Sequence, residues 1–202
     1  RWFVSAVARA MHPGCQVDTV LILQGEQSTR KSHFFRGLAA PWFSDTYLNI
    51  ERDKDAYQQL HRAWIYEWPE IDSVLADPRR QNRMKGFVSS QEDNFRAPYA
   101  RNPAPHLRTT VLVGSANPDR FLSDPTGSRR YWIVSVTRRI EDHRVAEVRD
   151  HLWAEAVAIY DAATGCADCT SVERCPAHRW HLTIAEDRSR AESAVAREVV
   201  DD

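Results

Sequence analysis

A short loop between an apolar run and a helical stretch is the first feature of this sequence with evident chemistry. Residues 19–23 predict a strand buried on both faces, and a helix is predicted from Lys31 to about residue 40. In such a loop, backbone N–H groups at the helix N-terminus bind phosphate, a lysine reaches the outer phosphates and a hydroxyl binds Mg²⁺. We therefore predict that the loop binds a nucleotide through these residues: Gly25, Gln27, Ser28, Thr29, Arg30, Lys31 and Ser32.

Arg30 stands where the usual phosphate-loop pattern has its second glycine. If that position needs a positive φ, an arginine there costs about 1 kcal/mol of left-handed strain. The loop can still form, and the arginine can add a phosphate contact. The alternative interpretation is an ordinary strand-to-helix turn that carries two surface cations.

Two carboxylates follow the second predicted strand, residues 63–66. Glu67 comes directly after this apolar run, and Glu70 lies shortly beyond it. Hydrolysis of a nucleoside triphosphate needs an acid that holds Mg²⁺ and a group that orients water. We predict that Glu67 and Ser32 hold Mg²⁺ and that Glu70, or Glu67, orients the water. Acidic residues at the start of a solvated helix are the alternative.

Polar and cationic residues accompany two later strands, predicted at 109–114 and 131–136. Asn117 follows the first of them, where its amide can hold the attacking water; a turn at Asn-Pro is the alternative. Arg129 and Arg130 precede the second. Such a pair can stabilise transition-state charge in its own site or in a neighbour's, although surface solubility alone also explains it.

A local excess of cations lies between the acids and Asn117. Cations neutralise nucleic-acid phosphates and tyrosine stacks on bases, so we predict nucleic-acid contacts from Lys85, Arg96, Tyr99 and Arg101. The same patch includes Arg79, Arg80, Arg83, His106 and Arg108. For any single residue a solvated surface is the alternative, and Lys85 is also a candidate for a contact with the γ-phosphate.

Three cysteines and a histidine cluster near the C-terminal end of the chain. The spacing of Cys166, Cys169, Cys175 and His178 suits tetrahedral Zn²⁺, and His181 is an alternative fourth ligand. Four ligands leave no open position, so the predicted metal is structural. Free thiols are the alternative.

Composition limits the classes of protein to which this chain can belong. Its 202 residues are 43% apolar and 27% charged, which excludes a disordered chain. The net charge of −1 argues against a uniformly basic nucleic-acid binder, and no apolar run is long enough for a membrane span. Because the chain begins at Arg1 and has no apolar signal region, we expect a piece of a longer cytoplasmic protein.

The predicted strands alternate with helices, which indicates an α/β fold with a parallel sheet flanked by helices and a helical C-terminal appendage. Prolines around residues 98–105 predict a hairpin or loop. The remaining predicted helices cover residues 2–10, 78–89, 145–160 and 182–200.

Several of these segments, taken in order, resemble the virulence-associated protein E family: residues 21–31, 64–70, 85–101, 111–117 and 124–132. The resemblance covers roughly residues 3–160, and its most specific strings are 95–101 and 124–132. Members of that family are P-loop ATPases of phages and mobile elements, similar to superfamily 3 helicases within the AAA+ group. The resemblance therefore implies a P-loop ATPase core in residues 1–160, followed by a cysteine-containing loop and helix in 161–202.

The resemblance also implies roles for individual residues. Lys31 and Ser32 would be the Walker A pair, Glu67 and Glu70 the Walker B acids, and Asn117 the sensor. Arg129 or Arg130 would be a finger that acts on the adjacent subunit of a ring, expected to be a hexamer. Related helicases place a hairpin from the cationic region in the central channel, where it contacts DNA.

Together these features predict an ATP-dependent DNA motor domain from the replication protein of a phage or mobile element. ATP and Mg²⁺ are the expected substrate and cofactor, single- or double-stranded DNA the expected partner, and a bacterial or phage-encoded origin is expected. A primase or polymerase region elsewhere in a longer chain is a further expected partner. The alternative, motivated by Arg30, is a non-hydrolysing module that assembles or binds DNA in response to nucleotide.

Overall fold

The computed structural model describes residues 1–48, 55–71, 78–117 and 130–164. The helices in these ranges are α1 (Trp2–Met11), α2 (Lys31–Ala39), α3 (Ala56–Leu60), α4 (Pro78–Ser89) and α5 (Asp142–Thr164). The strands are β1 (Val20–Gln24), β2 (Phe43–Ser44), β3 (Ile65–Trp68), β4 (Glu92–Phe95), β5 (Ala104–Leu107), β6 (Val111–Ala116) and β7 (Tyr131–Ser135). The helix predicted at 182–200 and the predicted zinc ligands lie outside the described residues.

Five strands form one parallel sheet in the order β2-β3-β6-β1-β7. β1 lies between β6 and β7, with Leu21 opposite Val113 on one side and Trp132 on the other. β1 is buried on both faces apart from its last residue, and every residue of β6 is buried, which is why both read as continuous apolar runs. The predicted α/β fold with a parallel sheet is therefore confirmed.

Helices cover both faces of this sheet. Alternate residues of β1 point to opposite faces: Leu21 and Leu23 pack in a core with Trp2 of α1 and Phe35 of α2. α5 joins this face, where the Trp153 indole donates a hydrogen bond to the carbonyl of Leu38 at 2.9 Å. On the other face, a second core contains residues of β1, α3 and α4, among them Ile22, Leu60, Met84 and Val88.

A separate antiparallel hairpin, β4–β5, confirms the hairpin or loop predicted around residues 98–105. Its base is fixed by a buried ion pair between Arg108 and Asp93, with 2.8 Å between Arg108 Nε and Asp93 Oδ2. His61 of the segment after α3 contacts the same carboxylate at 2.9 Å. Because these groups lie between the hairpin and the body of the domain, they fix the direction in which the hairpin projects.

Two strands begin two residues later than predicted. Residues 63–66 and 109–114 were expected, whereas β3 and β6 begin at Ile65 and Val111. The Thr110 hydroxyl lies 2.7 Å from the carbonyl oxygen of Ala63, so the segments that lead into β3 and β6 are already joined just before the two strands begin to pair. α5 in turn is longer at both ends than the predicted 145–160. In the part of the chain that the structure describes, no helix has the length and apolarity needed to cross a membrane.

Candidate phosphate-binding site

A pocket of about 730 Å³ opens where β1, β3 and β6 end. In open parallel sheets, ligands bind at the carboxyl ends of the strands, which is where this pocket lies. It brings together predicted residues from three separate parts of the sequence. Its lining comprises Gln27, Ser28, Arg30, Lys31, Ser32, His33, Pro69, Glu70, Ser115, Ala116, Asn117 and Arg139.

The loop that leads from β1 to α2 contains two left-handed residues, Ser28 and Arg30, each with a φ of 66°. Arg30 is the N-cap of α2, with a ψ of 33°. The position at which the phosphate-loop pattern has glycine therefore does require a positive φ, and the arginine adopts it. The strain expected from the sequence, about 1 kcal/mol, applies here.

Residues that follow β7 hold this loop from one side. The Arg30 guanidinium forms an ion pair with Asp142 in the first turn of α5. The backbone N–H of Ile140 donates to the Thr29 carbonyl at 3.1 Å. The loop conformation is thus fixed both by its own turns and by a neighbouring segment more than a hundred residues later in the chain.

Gly25 is required by a close approach of two backbones. A Cβ built at this position would lie 2.4 Å from the carbonyl oxygen of Val136. The N–H of Gly25 donates to Ala116 at 3.2 Å on the other side. Gly25 therefore does not line the pocket itself but lets the loop lie directly between the segments after β6 and β7.

The Lys31 side chain is buried within the loop. Its ammonium lies 2.7 Å from the carbonyl oxygens of both Gly25 and Glu26, and 3.3 Å from the Thr29 hydroxyl. These contacts place the ammonium inside the turn of the loop, at the wall of the pocket. Thr29 thereby helps to position Lys31, while its own hydroxyl donates to the Glu26 carbonyl at 2.8 Å.

Ser32, which lines the pocket, contacts the buried carboxylate of Glu67. The Ser32 hydroxyl donates to Glu67 Oε1 at 2.7 Å, joining the first turn of α2 to β3. Glu67 is fully buried, and its Oε2 has no hydrogen-bond partner among the described residues. Burial raises the pKa of this carboxyl, although the hydroxyls of Ser32 and Ser115 oppose the shift.

Glu67 is the third residue of β3 rather than the residue after it, so its predicted position is corrected. β3 also ends two residues later than predicted, at Trp68, and this brings the acid into the strand. A buried carboxylate oxygen without a partner, next to a hydroxyl, is a donor set that Mg²⁺ accepts, because this ion takes oxygen ligands. Ser32 and Glu67 therefore fit the predicted metal.

Glu70 and Asn117 both line the same pocket. Glu70 is exposed and has a left-handed φ of 50°, in the turn just beyond β3. Asn117 is half-buried and directly follows β6. The structure thus places an exposed carboxylate and an amide at the pocket mouth, above the buried Glu67.

Arg130 lies at the opposite edge of the sheet. It precedes β7, whose first residue, Tyr131, pairs with Val20 at the start of β1, whereas the phosphate loop follows the end of β1. Its Nε lies 3.4 Å from the Ser89 hydroxyl at the end of α4. Arg130 is therefore not brought to the pocket of its own chain. Arg129 lies outside the described residues.

Comparisons with known proteins decide the family. Residues 1–193 match the virulence-associated protein E-like domain. The chain belongs to this family. No curated protein matches. Solved structures to which the chain is similar include two apo A-form structures of the NrS-1 C-terminal region, with TM-scores of 0.49 and 0.45 at 15% and 13% identity. They cover 77% and 76% of this chain, which spans only 39% and 38% of theirs.

The hairpin of this virulence-associated protein E-like domain carries part of the predicted nucleic-acid surface. Tyr99 is fully exposed, with a left-handed φ of 66°, at the turn between β4 and β5. Arg96 and Arg101 are exposed on either side of it. Lys85 lies elsewhere, half-buried on α4.

Two members of the cationic patch are not available to a ligand, which corrects the prediction for them. Arg108 is only 1% exposed because its guanidinium pairs with Asp93. The half-buried His106 ring stacks on Phe95 at 4.0 Å between centroids. A basic residue at the base of a hairpin cannot be distinguished from one at its tip by sequence alone, because both lie in the same cationic run.

Sequence analysis missed one pocket residue with charge, Arg139. It follows the strand that pairs with β1 on the side away from β6. Its position after a strand was a usable signal, because the carboxyl ends of parallel neighbours meet at one edge.

Proposed function

We propose that this domain binds and hydrolyses Mg²⁺–ATP, and that hydrolysis drives a ring of subunits along DNA during replication of a phage or mobile element. Its family and the resemblance of its motifs to P-loop ATPases support the activity. The pocket supports the ligand, because it combines a helix N-terminus, a lysine and the carboxylate of Glu70 at the carboxyl edge of a parallel sheet.

The contact between Ser32 and Glu67 carries the proposal. Ser32 and Glu67 are far apart in the sequence, yet the fold brings the Ser32 hydroxyl within 2.7 Å of the Glu67 carboxylate. A hydroxyl and an acid in this relation are the protein ligands that P-loop enzymes use for Mg²⁺. The hydrogen bond from Ser32 accounts for only one oxygen of Glu67. The other, Oε2, is buried and has no hydrogen-bond partner among the described residues, so it can bind a metal ion.

The proposed chemistry assigns each group a task. Bound Mg²⁺ supplies charge neutralisation to the phosphates. Lys31 and the backbone N–H groups of the loop bind the phosphates. Glu70 accepts a hydrogen bond from the attacking water and orients it, and the Asn117 amide holds the same water near the γ-phosphate.

The ring proposal is supported by the position of Arg130. An arginine that completes the transition state must reach the γ-phosphate, and Arg130 directly precedes β7 at the end of the sheet remote from its own pocket. If it acts as a finger, it serves an adjacent subunit, and Arg129 is the other candidate. A hexamer is the expected ring size.

One observation favours the second candidate, a non-hydrolysing module. The Lys31 ammonium already contacts the carbonyl oxygens of Gly25 and Glu26. It must exchange at least one of these contacts for a phosphate oxygen, and the Arg30–Asp142 ion pair restrains the adjacent residue. Such a loop would bind nucleotide and assemble subunits without turnover.

Steady-state ATP hydrolysis at raised protein concentration, with and without single-stranded DNA, separates the two functions. We expect Mg²⁺-dependent, DNA-stimulated turnover that is lost in Lys31→Ala and Glu67→Gln. Turnover absent from the native chain, together with nucleotide-induced assembly, supports the second function. Activity that appears only in Arg30→Gly would identify that residue as the cause.

One further proposal concerns side chains that lie outside the described residues. Cys166, Cys169, Cys175 and His178 are proposed to hold a structural Zn²⁺ in a C-terminal unit covering 161–202. Metal analysis of the purified chain should find one zinc per molecule. The Cys169→Ser variant should lose it, and an unchanged zinc content would contradict the assignment.

A further inference from the structure

Arg139 lies in the wall of the candidate phosphate pocket. It is exposed and lines the pocket beside Arg30, Lys31 and Ser32. Within residues 1–48, 55–71, 78–117 and 130–164, its guanidinium makes no ion pair or side-chain hydrogen bond. The Arg139 guanidinium is thus available to a ligand at this place.

The backbone around Arg139 is fixed against the phosphate loop. On one side, the N–H of Val136 donates to the Gln24 carbonyl at 2.7 Å. On the other side, the N–H of Ile140 donates to Thr29 at 3.1 Å. Because the next residue in the chain is hydrogen-bonded to the loop itself, the Arg139 side chain starts from a defined position at the pocket.

The other cations near the pocket are already engaged or lie elsewhere. The Lys31 ammonium contacts loop carbonyl oxygens, and the Arg30 guanidinium pairs with Asp142. Arg130 lies at the far edge of the sheet. A nucleotide that brings three phosphates into a pocket lined by the carboxylate of Glu70, with the buried Glu67 in contact with Ser32, needs positive charge, and Arg139 offers it without breaking an existing contact.

We propose that Arg139 is a phosphate-binding residue that acts on the nucleotide of its own chain. This inference rests on the proposed nucleotide site and adds to it a cation from the segment after β7. The planar guanidinium binds two phosphate oxygens at once, which a lysine at the same place does not reproduce. If Arg139 instead contacted the adenine base, it would stack the flat face of its guanidinium on the ring.

Equilibrium binding of fluorescent ATP, ADP and adenosine analogues, with Mg²⁺ present, tests the assignment. We expect Arg139→Ala to bind ATP about tenfold more weakly or worse, because a hydrogen bond to a charged group is lost. Adenosine binding should be unchanged, and Arg139→Lys should recover only part of the loss. Arg138→Ala is the matched control, since it removes the neighbouring exposed arginine that does not line the pocket.

Each outcome decides the proposal. Equal ATP affinity in Arg139→Ala and Arg138→Ala overturns it, and equal losses for ATP and adenosine assign Arg139 to the base instead. The thermal midpoint of Arg139→Ala should match the native value, because the side chain is exposed. The assay needs no turnover, so absent hydrolysis would count against the motor and not against Arg139. Native protein that binds no nucleotide would overturn both.

Discussion

The Arg30 guanidinium is paired with the carboxylate of Asp142, so a left-handed residue of the phosphate loop is tied to the first turn of α5. The two side chains are 32% and 49% exposed, which makes this a surface pair worth at most about 1 kcal/mol. That magnitude is similar to the strain of a left-handed arginine, about 1 kcal/mol. The energy of the ion pair therefore offsets the strain of the left-handed conformation at Arg30.

This balance predicts the effect of restoring glycine. Arg30→Gly should change the free energy of unfolding little in the native background, because relief of strain and loss of the ion pair oppose each other. In an Asp142→Ala background the same substitution should stabilise by about 1 kcal/mol, since no ion pair remains to be lost. Urea denaturation of the four proteins measures the coupling. The same effect of Arg30→Gly in both backgrounds would show that the pair contributes nothing.

Glu67→Gln should stabilise the protein at neutral pH when no divalent ion is present. Burial raises the pKa of Glu67, so the folded state holds its proton at pH values where the unfolded chain has lost it. Stability from this group is therefore complete below the ordinary glutamate range and is lost as the pH rises through the raised pKa. Glutamine mimics the protonated form and avoids that loss.

Thermal midpoints measured against pH check this prediction. The two proteins should converge at acidic pH, and Mg²⁺ should raise the midpoint of the native chain at neutral pH but not that of Glu67→Gln. Glu70→Gln is the matched control, because Glu70 is exposed in the same pocket. A native midpoint that does not respond to Mg²⁺ would argue against metal binding by Ser32 and Glu67.

Gly25→Ala should destabilise the fold. Its new Cβ would lie 2.4 Å from the carbonyl oxygen of Val136, and a backbone contact cannot be relieved by a side-chain rotation. Overpacking of this kind costs about 1 to 3 kcal/mol. Gly86→Ala is the control, because nothing lies within 4 Å of its Cβ position in α4. There alanine should stabilise by about 0.5 to 1 kcal/mol, and chemical denaturation that ranks the two variants the other way would contradict the predicted packing.

Tyr99→Ala should weaken binding to single-stranded DNA without affecting stability. Stacking of a base on an aromatic ring contributes about 1 to 3 kcal/mol, so a loss of affinity of roughly tenfold is expected. Fluorescence anisotropy with a labelled oligonucleotide measures it. Tyr47→Ala removes another exposed tyrosine, 78% accessible, that lies outside the hairpin. If both variants lose affinity equally, the hairpin tip is not the contact.

Asp93→Asn should destabilise the domain strongly, by about 3 to 5 kcal/mol, because it leaves the Arg108 guanidinium buried without its counter-charge. Although burial opposes it, hydrogen bonds from His61 and Arg108 lower the pKa of Asp93. This stabilisation is therefore present at neutral pH and is lost as the pH falls through that lowered pKa. Asp150→Asn breaks an exposed pair with Arg149 and should have no measurable effect on urea denaturation. Equal stability of the two variants would show that the buried pair is not needed.

The sequence predicts the parallel sheet well because its central strands are buried on both faces. β1 and β6 are largely apolar in sequence, and a short apolar run of this kind is typical of a strand in a buried parallel sheet. Strand ends are predicted less well. The displacement of β3 depends on Thr110, whose hydroxyl contacts a carbonyl far away in sequence, and no local pattern carries that information.

The candidate site divides in the same way. Lys31, Ser32 and Asn117 follow strands or begin helices, so local pattern is enough to place them at one edge of the sheet. The burial of Arg108 and the approach of Arg139 to the pocket depend instead on which segments pack together. From its charge, Arg108 is predicted to belong to the cationic surface patch. Its buried ion pair with Asp93 excludes that position.

The position of β1 in the sheet has a consequence for how the chain folds. Leu21 pairs with Val113 and with Trp132, which lie about 90 and 110 residues later in the sequence. Such distant pairings require large loops to close, which slows folding. Until they form, the apolar strand β1 is exposed and prone to aggregation. During synthesis the phosphate loop cannot take its final shape until the ribosome has released the residues of β7 and the segment after it. Truncations that end before residue 140 should therefore yield insoluble chains rather than a smaller nucleotide-binding unit.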